Sequence, residues 1–218
     1  MSLRVVLEVA ERRAFASALD WPGWSRGAKT PDEALQALLD YTARYARVAG
    51  RAKVAFSPPA TLRGFEVVER LGGGGSTEFG VPSSPAAAED APLTARDVKR
   101  LVSLLEAAWA TFDAAADGAR GLKLRLGPRG GGRQVPKMVE HVREAEAAYL
   151  HQLGTKVAER GMAELRRDFV ETFIARAEDR ELPRPNKVKR PWTPRYAARR
   201  SAWHALDHAW EIEDRLPG

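Results

Sequence analysis

The chain has 218 residues, enough for one large domain or two small ones, and 44% hydrophobic against 29% charged residues marks it as globular rather than disordered. The absence of cysteine excludes disulfide scaffolds, zinc-thiolate sites, cysteine nucleophiles and thiol redox couples. No run reaches the ~20 apolar residues that span a bilayer, and the one N-terminal apolar patch, Val5-Val6-Leu7, is broken by Glu8, so a cytoplasmic protein is expected. A net charge of +6 admits nucleic acid or acidic ligands as partners without requiring them.

Residues 1–81 mix strand and helix signals. Leu3 to Ala10 is rich in Val and Leu and reads as a strand, and residues 13–20 read as a second. Trp21-Pro22-Gly23 forces a turn. Thr30-Pro31-Asp32-Glu33 then supplies a capping hydroxyl, a first-turn proline and two carboxylates in the order that a helix start requires. Ala34, Leu35, Leu38, Leu39 and Ala46 keep one apolar face, which predicts a single helix as far as Gly50. The tetraglycine at 72–75 lies between Phe65-Glu-Val-Val and Thr77-Glu-Phe-Gly-Val, a pattern that predicts a hairpin. The unit is therefore expected to be a small α+β domain.

Residues 82–92 hold three prolines and no apolar period, which predicts a linker between domains. From residue 93 the chain reads as helical. Thr94 with Asp97 opens the first helix, and Val98, Leu101, Val102, Leu105, Ala108, Trp109 and Phe112 recur at helical spacing until Gly118 and Gly121. A loop of glycines and arginines runs from Gly127 to Gly132 and lacks the Lys-Ser/Thr ending of a phosphate-binding loop. Pro136 starts a second helix to about Leu153. A third carries Met162, Leu165, Phe169 and Phe173, and Pro194 opens a fourth as far as Arg215. Four amphipathic helices of similar length predict a four-helix bundle over 93–218, separable from the first domain.

Three of the four histidines carry the chemistry. His204 and His208 are four residues apart, so they project from one helix face a turn apart. Two such imidazoles can share a divalent ion, with His141 on the second helix as the third donor. Burying imidazoles in a bundle core is costly unless a ligand repays it. His151 is rotated roughly 80° from His141 and is expected at the surface. Glu211 lies three residues after His208 and Glu144 three after His141; each is a candidate to orient an imidazole or to act as a catalytic base. Asp207 is about 100° around the helix from its neighbour and is expected in a supporting role.

Arg199-Arg200-Ser-Ala-Trp203-His204-Ala-Leu-Asp207-His208-Ala-Trp210-Glu211 resembles the last helix of DinB/YfiT-like proteins. Val139-Glu140-His141-Val142-Arg143-Glu144, with Tyr149-Leu150 after it, resembles their second-helix motif. The likeness covers about residues 93–218 and implies a four-helix bundle that holds a metal through His141, His204 and His208. It also implies a metal-dependent thiol S-transferase, isomerase or hydrolase with a small-molecule substrate and a low-molecular-weight thiol as cosubstrate. Nitrogen donors suit zinc or nickel. Asp20-Trp21-Pro22-Gly23, followed by Thr30-Pro31-Asp32-Glu33-Ala34, is similar to the HicB-type motif and implies a β-β-β-α-β fold for residues 1–81. No DNA-binding helix or ribbon follows it.

Residues 184–200 hold seven basic residues and no acid, with Trp192 and Tyr196 interleaved. The stretch leads into the histidine helix, so Arg199 and Arg200 are candidates to bind an anionic cosubstrate, and it is too short to meet many phosphates. The expected partner is a small molecule, with nucleic acid and membranes ranked below it and a homodimer left open. The alternative class is a non-enzymatic binding or regulatory protein with a structural metal.

Overall fold

A computed structural model describes residues 2–127, 132–158 and 161–217. It opens with β1 (Leu3–Val9), β2 (Ala14–Ala18) and β3 (Ser25–Ala28), then α1 (Pro31–Asp40), α2 (Thr42–Arg51) and β4 (Phe65–Gly72). The four strands form one mixed sheet in the order β3-β2-β1-β4, with β1–β2 and β2–β3 antiparallel and β1–β4 parallel. Thr30 and Glu33 cap α1 reciprocally, as the Thr-Pro-Asp-Glu order predicts. The helix stops at Asp40, and α2 starts again after Tyr41, so the single helix expected to run to Gly50 is in fact two. Tyr41 is the pivot, and its ring packs on Trp210 far along the chain. Trp24 anchors α1 to the sheet: its indole N–H donates to Leu38 O at 2.8 Å and its ring stacks on Tyr45.

The tetraglycine does not turn a hairpin. The chain leaves β4 and forms a short helix, α3 (Gly75–Phe79). The cause is the buried carboxylate of Glu8 on β1, which accepts from the Thr77 hydroxyl at 2.5 Å and from the Ser83 and Ser84 amides at 3.1 and 3.0 Å. A charge so buried must collect donors, and the chain after β4 wraps around to supply them.

Four long helices follow: α4 (Ala95–Gly118), α5 (Val135–Gln152), α6 (Met162–Ala177) and α7 (Pro194–Asp214). Residues 128–131 of the glycine-arginine loop lie outside the described residues. No helix among the described residues is long and apolar enough to cross a membrane. The helical segment does not keep its apolar surface to itself. One core cluster runs from Val5, Leu7 and Trp24 through Leu105 and Phe169 to Leu206 and Trp210. Phe15 meets Trp203 edge-on at 6.1 Å, and Tyr41 meets Trp210 at 5.1 Å. The stretch 82–92 is packed too. Ala86 and Glu89 are buried, and Glu89 receives a bidentate pair of bonds from Arg199 at 2.6 and 2.9 Å.

Gly23, in the turn between β2 and β3, packs closely against α7. A Cβ there would stand 2.6 Å from Leu206 Cδ1, and its φ of +90° is unfavourable for any other residue. Gly23→Ala is expected to cost about 1–3 kcal/mol of stability, read as a lowered denaturant midpoint. A fragment of residues 93–218 is expected to lose its near-ultraviolet circular dichroism, because Trp203 and Trp210 are stripped of Phe15 and Tyr41.

Candidate metal centre

His141 is held by α5, and His204 and His208 sit one turn apart on α7. The two Nε2 atoms of His141 and His204 are 3.2 Å apart. Ring centroids are 5.0 Å (His141–His204), 5.1 Å (His141–His208) and 4.7 Å (His204–His208). One ligand atom from each residue lies within 4.8 Å of the others. Tetrahedral coordination with metal–nitrogen bonds of ~2.0–2.1 Å places donor atoms roughly 3.3 Å apart, so the His141–His204 spacing fits a shared ion.

The electrostatics favour the ligating form. Burial lowers the pKa of His204 well below the ordinary imidazole value, and the proximity of His208 and Arg200 pushes it the same way. Burial and His208 likewise lower that of His141. Neutral imidazoles keep the lone pairs that a metal needs. His204 Nδ1 is buried without a protein partner, so no hydrogen bond offsets the burial of this ring.

Glu211 completes the arrangement. His208 Nδ1 lies 3.0 Å from Glu211 Oε2, and Arg215 donates to Glu211 Oε1 at 2.6 Å. Burial works to raise the carboxyl pKa, yet the His208 and Arg215 hydrogen bonds outweigh it and the net direction is down. An ionised carboxylate only accepts, so His208 carries its proton on Nδ1 and turns the Nε2 lone pair to the cluster. With both oxygens engaged, Glu211 is suited to orienting an imidazole and poorly placed to be a base.

The remaining candidates are placed elsewhere. Glu144 is exposed on α5 and has no hydrogen bond or ion pair among the described residues. Arg199 is turned away from the histidines, with its donors spent on Glu89 and on Ser84 O at 3.0 Å. It is not free to hold an anion. Arg200 lies behind the cluster, with its guanidinium 5.0 Å from the Tyr149 ring and 4.7 Å from that of Trp203, and its Nη1 has no partner. Asp207 pairs with Arg26 at 2.9 Å, and His151 is exposed. In the basic stretch, Arg184 is tied to Asp168 and Arg195 to Ala91 O and Pro92 O, which leaves Lys187, Lys189 and Arg190 exposed.

Two cavities bear on the site. The larger, about 1060 Å³, lies between α4, α5 and α6 and touches none of the three histidines. The smaller, about 560 Å³, opens between the sheet and α7 and has Glu211 and Arg215 in its wall. Arg215 was not singled out by the motif, because nothing local in Asp214-Arg215-Leu216 marks it; its role comes from the helical i, i+4 contact with Glu211.

No family model matches the chain, and no curated protein or solved structure is similar enough to count as a relative.

Glu146, two residues from the exposed Glu144, is the buried carboxylate of α5. It accepts from Arg166 at 2.9 and 3.1 Å, while burial pushes its pKa up to about 7 against that attraction. A carboxyl with a raised folded-state pKa binds protons more tightly when folded, so its contribution is full below pH ~4 and lost as pH rises toward 7. Wild-type stability is therefore expected to fall from pH 5 to 7 relative to Glu146→Gln, by about 2 kcal/mol in urea titrations at each pH.

Proposed function

We propose that the protein is a divalent-metal enzyme of the DinB/YfiT-like type, acting on a small molecule as a thiol S-transferase, isomerase or hydrolase. The observation that carries this reading is the convergence of His141, His204 and His208 with a 3.2 Å Nε2–Nε2 spacing. Residues 93–218 are read as the four-helix bundle of that type. Residues 1–81 are read as a HicB-like unit, which the strand order β1-β2-β3, two helices and then β4 supports. Zinc or nickel is the expected ion. Bound there, it supplies Lewis acidity, polarising a substrate oxygen or lowering the pKa of a coordinated thiol or water.

The chain's own residues prepare that chemistry. Burial keeps His141 and His204 neutral, Glu211 orients His208, and Arg215 holds Glu211 in place. The packed surroundings of His204 exclude bulk water from one side of the cluster.

A structural metal in a binding or regulatory protein is the second reading. It is favoured by one observation: none of the three histidines lines either cavity.

Protein purified without a histidine tag is expected to carry about one equivalent of metal by elemental analysis. His204→Ala and His208→Ala are each expected to reduce it to background, and unchanged metal in the triple variant with His141→Ala overturns the site. Chelation is expected to lower the melting temperature by several degrees, because an ion that binds only the folded state stabilises it. The cobalt-substituted protein separates the two readings. A visible spectrum that shifts with azide or 2-mercaptoethanol supports the enzyme, and one that does not shift supports the structural ion.

A further inference from the structure

The cleft of about 560 Å³ between the sheet and α7 has the size of a small-molecule site and is built jointly by both halves of the chain. Its floor is aromatic. Phe15 and Trp210 are buried there, and the Arg26 guanidinium carbon lies over the Tyr41 ring, 4.0 Å from its centroid, and 5.6 Å from that of Trp210. Phe79 stands at the mouth, 78% exposed. Glycines keep the walls flat: a Cβ on Gly27 would meet the Phe15 ring at 2.7 Å, and Gly80 lies beside Arg13.

The lining holds three arginines and three carboxylates, and each carboxylate is already paired, Asp214 with an arginine outside the cleft. Asp207 pairs with Arg26, Glu211 with Arg215, and Asp214 with Arg44. Arg13 is half-buried in the wall with no ion pair or hydrogen bond to its guanidinium among the described residues. The unpaired Arg13 guanidinium beside aromatic side chains suits a planar ring that bears one carboxylate. An arginine can pair with such a carboxylate bidentately, and the exposed Phe79 ring offers an open aromatic face beside it.

We propose that this cleft binds an aromatic carboxylate, with Arg13 as its counter-ion and Tyr41, Phe79 and Trp210 as its walls. The wall shared with Glu211 puts the bound acid next to the residue that orients His208. The proposal rests on the metal-enzyme reading only in making that acid a substrate; its binding does not depend on it.

The test is calorimetric titration of the purified full-length protein with 2-naphthoate, with metal content measured on the same samples. Saturable binding is expected. Arg13→Ala is expected to weaken it at least tenfold and Phe79→Ala at least threefold. The neutral 2-naphthalenemethanol and the non-planar cyclohexanecarboxylate are each expected to bind at least tenfold more weakly than 2-naphthoate. Both side chains lie outside the buried core, and melting curves verify that the variants fold. Absence of saturable binding overturns the proposal, as does an affinity that Arg13→Ala leaves unchanged or a cyclohexanecarboxylate affinity equal to that of 2-naphthoate. Metal without naphthoate binding removes this inference alone, and naphthoate binding without metal removes only the metal-enzyme reading.

Discussion

The structure depends on the burial of α7 from every side. Every residue from Tyr196 through Leu206 is buried, so this helix has no solvent face over three turns. An amphipathic helix on a bundle's surface keeps one stripe wet; one buried all round must be covered by more than its helical neighbours. Here α4 and α5 cover part of it, the sheet and the Trp21–Gly23 turn cover another part, and the stretch 82–92 closes the rest. The alanines Ala197, Ala198, Ala202, Ala205 and Ala209 permit these close approaches.

Burial of α7 also dictates its electrostatics. Arg199 and His204 are polar residues on a helix with almost no water around it, and each meets the cost differently. Arg199 is matched by Glu89, itself buried, in a bidentate pair. His204 stays neutral, and its Nε2 faces a second imidazole rather than a carboxylate. The contrast separates a structural pair from a candidate ligand set on the same helix, five residues apart.

Glu8 plays a comparable role in the sheet. Its carboxylate lies under the chain that follows β4, and the donors it recruits from Thr77, Ser83 and Ser84 route that chain toward α7. The route brings Glu89 to Arg199 and sets Phe79 at the mouth of the cleft. Two buried carboxylates, Glu8 and Glu89, thus tie the segment between the sheet and the helices to both.

Local chemistry was readable in the sequence. The caps at Thr30 and Thr94, the opening of the last helix at Pro194 and the helical spacing of His204 and His208 depend on residues a few positions apart, and the helices start where those signals stand. The pairing of His141 with the α7 histidines was also within reach, because only four histidines were available to choose from. What the sequence could not show depends on partners distant in the chain. The tetraglycine pattern was that of a hairpin, but Glu8, some seventy residues away, draws Thr77 into a helix. Arg199 and Arg200 are adjacent and chemically alike, yet one is neutralised by Glu89 and the other is wedged between Tyr149 and Trp203. Glu144 and Glu146 differ just as sharply, one exposed and one buried. In each case a charged side chain takes its role from the burial and counter-charge around it, and only the packing of distant segments supplies those.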